Sequence, residues 1–475
     1  MRMKKICQAV GLAFIVAILQ VMPLSAETVV NVQPPEIFAS AFILYEPDRD
    51  MILYAKNEER RIYPASMTKI LTALVAEEYI APEEILIVGN EIYNIPNDSS
   101  RANHVSGEAL TGVNLLRGLM IPSGNETACI AAMHIARAVS GNPSIAYRDA
   151  ERVFCGLLNE KAEALGAKDT HFTNPHGYHN ETHYTTAYDL ALITKAALDS
   201  DLIMQIAGET EYFGPSAETD DTSLKITNHE WKAHNELIKP GVYNYPYATG
   251  MKTGFTDEAG ECLAATAEKD GRRLIAILCN VPENMRWQDA MRLFEYGFNA
   301  FAERTLQSTG DLLGEVAVSD PRLGDETVLT YHATEDFAAY LNGEQLGEVV
   351  RDITLDKLRL APPLVDEETG ETDNSPRIVA PVTKDEIIGS VAYSYMGEIL
   401  YRGDISAGRD VEPRTFNTDM DYYLARAKAA AFSTAAIPFW IAGILLPTAI
   451  VILIVTLVRR HKRRNSGRYR FNMRR

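Results

Sequence analysis

At 475 residues, 46% hydrophobic and 23% charged, the chain has ordinary globular composition. At about 100–200 residues per domain it has room for two to four domains, and a disordered or fibrous protein is excluded. The net charge of −18 is unevenly placed: residues 1–26 carry three basic groups and no acid, residues 437–475 carry nine and no acid, and the 410 between carry 34 basic and 64 acidic groups, a balance of −30. A body this acidic repels nucleic acid and anionic membrane surfaces, which excludes both as its partners.

In chain order, Arg2, Lys4 and Lys5 precede the apolar run Ala9 to Leu19, and Leu24-Ser25-Ala26 offers small residues for cleavage. That pattern reads as a secretory signal peptide over residues 1–26, with the mature chain starting near Glu27. Ala41 to Tyr45 and Met51 to Tyr54, joined at Asp48-Arg49-Asp50, predict a hairpin. Helical periodicity follows in Met67 to Tyr79, Gly112 to Met120, Glu126 to Val139, Arg148 to Leu165 and Thr186 to Leu198. The acidic runs Glu209 to Glu211 and Glu218 to Asp221 read as solvated faces. A second hairpin, Glu261 to Ala267 with Leu274 to Cys279, precedes a helix over Trp287 to Phe301. Strands at both ends with helices between predict an α/β (α+β) domain over residues 36–303, built on one antiparallel sheet whose strands come from distant sequence.

From 307 to 410 the helical period vanishes and short apolar runs recur between Gly, Pro and Asp turns, which predicts a small all-β domain. Within it, Asp366 to Pro376 is too acidic and polar to pack and reads as a mobile loop. A juxtamembrane linker, 411–436, leads to Ile437–Val458, 22 residues without a charge, enough for a transmembrane helix. The basic tail 459–475 begins Arg459-Arg460-His461-Lys462-Arg463-Arg464, and basic residues beside a span stay cytoplasmic, so the acidic body is expected outside the cell membrane. Cys129, Cys155, Cys262 and Cys279 make no C-x-x-C pair and read as small buried hydrophobes. If a disulfide forms, Cys262 and Cys279 are favoured, since their runs look like neighbouring strands.

Chemistry enters at Pro64-Ala65-Ser66-Met67-Thr68-Lys69. Ser66 and Lys69, three apart at the start of a helical pattern, fall on one face within mutual reach. A serine hydroxyl is a weak nucleophile until a base takes its proton, and a desolvated lysine can be that base. S-x-x-K alone recurs by chance roughly twice in a chain this long, so it carries little by itself. Ser123-Gly124-Asn125 places a hydroxyl and an amide between two helical stretches, where an N-cap is the plainer reading. Lys252-Thr253-Gly254 lies just before the strand run near Glu261, where Lys and Thr can bind a carboxylate and glycine admits a close backbone. S-x-x-K, S-x-N and K-T-G in this order are the known mark of penicillin-binding proteins and class A β-lactamases. Here Gly124 replaces the usual middle aspartate.

On these motifs, residues 36–303 resemble the low-molecular-weight penicillin-binding proteins that act as serine-type D-alanyl-D-alanine carboxypeptidases. Asn159-Glu160-Lys161-Ala162, Thr173-Asn174-Pro175-His176-Gly177 and Thr186-Ala187-Tyr188-Asp189 are similar to that family and not to β-lactamases. The resemblance implies a penicillin-binding/β-lactamase-like catalytic fold with Ser66 as nucleophile, Lys69 as its base, Ser123 as proton relay and Asn125 as holder of the substrate backbone. It further implies Lys252, Thr253, Gly254 and Arg286 at the substrate's carboxylate, and the amides of Ser66 and Phe255 as oxyanion hole. The implied partners are peptidoglycan stem peptides ending in D-Ala-D-Ala and β-lactams as covalent inhibitors, with no metal or organic cofactor. A DD-endopeptidase, or a scaffold or sensor that acylates without turnover, remains as an alternative. His179 and His183, at i and i+4, have the spacing of a zinc pair but fall in a loop; His176 and Asp189 are expected to fix loops and helix starts.

Overall fold

The computed structural model describes residues 32–365, 369, 371–433 and 437–469, with side chains described as far as Lys462. The signal-peptide segment lies outside the described residues. The chain divides after Ala302 into two compact units, with residues 341–344 belonging to the first.

The first unit is organised by a five-stranded antiparallel sheet of β1 (Ala41–Glu46), β2 (Met51–Lys56), β3 (Ala248–Thr256), β4 (Gly260–Lys269) and β5 (Arg272–Val281), in the order β2-β1-β5-β4-β3. All six residues of β1 are buried, as befits a strand with neighbours on both edges and layers on both faces. Its register against β5 runs from Ala41 opposite Cys279 to Tyr45 opposite Ile275.

Alternation then sorts the two faces. Ala41, Ile43, Tyr45, Ile275 and Ile277 enter the large core shared with helices α1 (Thr68–Tyr79), α2 (Gly112–Met120), α3 (Asn125–Ser140), α4 (Tyr147–Ala164) and α5 (Ala187–Leu198). Leu44 and Leu274 point the other way, to Gly297 of α7 (Arg286–Ala300), which follows the short α6 (Asp201–Ala207) in the chain. Helix α1 is buried continuously from Thr68 to Ala76, which is why Lys69-Ile70-Leu71-Thr72-Ala73-Leu74-Val75-Ala76 shows almost no polar side.

One expectation changes here and one gains detail. Lys252-Thr253-Gly254 precedes the strand run near Glu261, as expected, and also lies in a strand of its own, β3 at one edge of the sheet; Gly250 and Gly254 weaken the local strand signal. Glu209 is no solvated acid, because its two carboxylate oxygens accept from Arg117 Nε and Nη2, each at 2.9 Å, and Glu211–Pro215 pairs with Asn228–Lys232 in a side hairpin. The four described cysteines are buried free thiols, as read from the sequence, and Cys262 and Cys279 are not bridged. Burial pushes the Cys129 and Cys155 thiols up to about 12, which leaves them unreactive.

The second unit holds a six-stranded sheet of β6 (Leu312–Ser319), β7 (Val328–Ala333), β8 (Val350–Leu355), β9 (Arg377–Val379), β10 (Ile387–Tyr395) and β11 (Glu398–Ala407), ordered β8-β10-β11-β7-β6-β9. Val316, Leu329, Ile378, Val391 and Ile405 form its core. Within the acidic stretch expected to be a loop, Thr372 and Asp373 pair with Val365 and Leu364 in a two-residue ladder. Residues 366–368 and 370 within that stretch lie outside the described residues. A capped helix α8 (Phe416–Ala431) precedes α9 (Ile437–Tyr469). Within α9, Ile437–Lys462 has a mean hydropathy of 2.8 at its most apolar and is long enough to cross a membrane.

Candidate active site

Ser66 sits in a single 3-10 turn, Ala65–Met67, that runs straight into α1. Ala65 is held at φ +46, a left-handed conformation that costs a non-glycine residue about 1–3 kcal/mol and marks a turn over-determined by its surroundings. One helical step on, Lys69 is wholly buried, and its Nζ lies 2.9 Å from Ser66 Oγ, 2.7 Å from Asn125 Oδ1 and 2.8 Å from the His176 carbonyl. Burial, and then the charge of Lys252, holds the Lys69 pKa well below the usual lysine value. A neutral amine keeps two N–H bonds for Asn125 and His176 and turns its lone pair to the serine hydroxyl, which is the arrangement a general base needs.

The opposite wall comes from the start of α3. Ser123 adopts φ +62 and is no N-cap: the helix begins at Asn125 after Gly124, and the buried Ser123 Oγ has no hydrogen-bond partner among the described residues. Gly124 is required, since a Cβ there would collide with Thr127 and Ala102. The Asn125 amide N–H donates to Ser100 at 2.9 Å while its side-chain oxygen faces Lys69, leaving the NH2 group for the cleft.

Strand β3 closes the third side. A Cβ on Gly254 would stand 2.9 Å from the Pro64 carbonyl, so only glycine lets this edge pack against the nucleophile turn. Lys252 is buried, and burial, with the Arg286 charge beside it, pulls its pKa down to about 7. Arg286 opens α7, stacks over Trp287 at 4.6 Å and keeps Glu261 at 3.7 Å, with no hydrogen bond on its Nε among the described residues. A cleft of about 350 Å³ is lined by Ser66, Ser123, Asn125, Thr253, Gly254, Phe255 and Arg286 together, while Lys69, which reaches Ser66, and Lys252, beside Thr253, are buried and do not line it. Seven of the nine residues singled out from the sequence therefore line one opening.

The support of the nucleophile turn was not legible beforehand. Thr173 N–H donates to His183 Nδ1 at 3.0 Å, which puts the imidazole proton on Nε2; that nitrogen lies 2.9 Å from Thr68 Oγ1, and Thr68 in turn donates to the Ala65 carbonyl at 2.9 Å. Burial above all, with His171 and His179 nearby, pushes His183 down to about 3, so the relay stays neutral. Gly177, at φ +86, admits the Ala65 carbonyl where any side chain would strike it. His179 does not join His183 in a metal pair; it meets the Tyr63 ring edge-on at 4.7 Å. His234 also lines the cleft, and no spacing rule points to it.

A serine hydroxyl facing a buried amine, a second hydroxyl across the cleft and a cationic floor at one end can accept an acyl group from a substrate ending in a carboxylate. With the mixed fold, that arrangement defines the class of active-site serine, penicillin-binding peptidases. Residues 28–283 match the peptidase family described as D-alanyl-D-alanine carboxypeptidase. The chain is 28% identical to D-alanyl-D-alanine carboxypeptidase DacF of Bacillus subtilis over 80% of its own length and 87% of that protein's. It is 30% identical to DacD of Escherichia coli, over 70% of this chain and 81% of that one. Among solved structures, penicillin-binding protein 5 of Haemophilus influenzae aligns with a TM-score of 0.51 at 25% identity, over 80% of this chain and 99% of that one. The Streptomyces K15 DD-transpeptidase aligns with 0.51 at 27%, over 56% and 99%. The chain belongs to the D-alanyl-D-alanine carboxypeptidase family of low-molecular-weight penicillin-binding proteins.

Proposed function

We propose that this enzyme is a membrane-tethered serine DD-carboxypeptidase that removes the terminal D-alanine from peptidoglycan stem peptides. The observation that carries the reading is the contact of a buried, charge-poor Lys69 with Ser66 at the floor of an open cleft. Lys69 takes the Ser66 proton as Oγ attacks the carbonyl carbon of the penultimate D-alanine, with the Ser66 and Phe255 amides receiving the oxyanion. The C–N bond then breaks, and Ser123 passes a proton to the leaving amine. Water hydrolyses the ester and restores Ser66. Asn125 holds the peptide backbone, and Lys252, Thr253 and Arg286 take the terminal carboxylate. A β-lactam enters by the same attack and stays as the acyl-enzyme.

Helix α9 tethers the enzyme, with the catalytic unit outside and the basic tail inside, because nine basic residues beside a span resist export. The decisive experiment follows free D-alanine released from a stem pentapeptide and covalent labelling by a fluorescent penicillin. Both are expected from the parent enzyme and neither from Ser66→Ala. Labelling that survives the change would move the nucleophile elsewhere, and labelling without D-alanine release would favour a non-turnover binding protein.

A further inference from the structure

Away from the cleft, Glu108 is fully buried and no lysine or arginine among the described residues forms an ion pair with it. Its partners are two buried imidazoles: His104 Nδ1 stands 3.0 Å from Glu108 Oε1, and His229 Nε2 stands 2.7 Å from the same oxygen. The three ligand-capable atoms lie within 4.8 Å of one another. The other oxygen, Oε2, is turned away to the Val105 amide at 2.9 Å. A carboxylate taken out of water needs a compensating cation or a metal.

We propose that His104 Nδ1, Glu108 Oε1 and His229 Nε2 bind a zinc ion, with water in the fourth position. Two imidazoles and a carboxylate suit zinc, whose tetrahedral bonds of about 2.0–2.2 Å set ligand atoms roughly 3.3 Å apart. The two contacts to Glu108, 3.0 and 2.7 Å, would open by roughly 0.3 and 0.6 Å, and the two imidazole nitrogens, within 4.8 Å of each other, would turn toward the ion. The surroundings are built to hold the rings. His229 stacks on Trp231 at 4.7 Å, His104 meets the same indole edge-on at 5.7 Å, and the indole N–H is fixed on the Ala102 carbonyl at 2.8 Å. On the far side of His104, the buried Nε2 and the hydroxyl of Thr127 both lack partners among the described residues and flank the same point beside Gly118, at 3.0 and 3.1 Å. Metal on Nδ1 would make Nε2 a donor, and the Thr127 hydroxyl would stand nearby as its acceptor.

The ion is structural, and no step of the acyl chemistry passes through it. It joins the segment before Ala109, which carries Ser99 and Ser100 into the cleft and fixes Asn125 through the Ser100 carbonyl, to the side hairpin that bears His229. The test uses the full chain in detergent, stripped with a chelator and equilibrated with zinc chloride. Stoichiometric zinc by elemental analysis, with X-ray absorption showing two imidazoles and oxygen donors, is expected for the parent. His229→Gln and Glu108→Gln should lose that zinc while penicillin labelling of Ser66 reports that they fold. Chelation should lower the melting temperature of the parent and leave that of the variants unmoved. No retained zinc in the parent, or equal zinc in the variants, would overturn the site and leave a hydrogen-bonded triad only.

Discussion

Lys69 and Lys252 are ammonium groups taken out of water in the same pocket, and each is easier to keep neutral than charged. For Lys252 the window is defined: its folded value is about 7 and its ordinary value 10.5. Below about 7 both folded and unfolded chains hold the proton and the full burial cost is felt; between the two values only the unfolded chain holds it, so stability rises with pH by up to about 1.4 kcal/mol per unit. Urea unfolding of Lys252→Met should therefore show a gain over the parent that is largest in mild acid and shrinks toward the ordinary lysine value. The KM for a peptide ending in a free carboxylate should rise over the same range, as the cation that meets it is lost. A difference independent of pH would mean that Lys252 stays charged. At this scale the sequence was informative, because S-x-x-K, S-x-N and K-T-G are chemical necessities at fixed spacing. It was silent on the conformations of Ala65 and Ser123, which distant groups impose.

Elements set those conformations. The helical periods of α1 to α5 were legible because each lays apolar residues against one core. The edge strand β3 and the side hairpin were not, since glycine, charge and short length mask the alternation that reveals a strand. Least legible was the loop from Thr173 to Thr185, whose task is tertiary: its His183 and Gly177 grip the turn that carries Ser66. His183→Ala leaves the Thr173 amide without its acceptor and takes one of two partners from the buried Thr68 hydroxyl, at about 1–3 kcal/mol. Stopped-flow acylation by penicillin should slow about ten- to a hundredfold, with initial non-covalent binding unchanged. An unaltered rate would show that the glycine contact alone holds Ala65.

On the scale of the whole molecule, the acidic body and the apolar helix with its basic flank obey different solvents, and each was visible in composition. The three motifs fall within residues 66–254, so a chain ended at Ser433 should be soluble and release D-alanine at the parental rate. Protease added to intact cells should remove the body and spare a tag on Arg475; digestion of the tag without lysis would reverse the orientation. Sheet order carries a consequence for how such a chain comes into being. Strand β1 is among the first segments made, yet its partner across the Ala41–Cys279 ladder is made more than two hundred residues later. At about 5–20 residues per second, the ribosome leaves β1 roughly ten to fifty seconds without its neighbour. Throughout that interval β1 can pair with β2 on one side while its other edge, the one that β5 will cover, stays open, and the chain remains threadable because its sheet cannot close until synthesis has passed Val281.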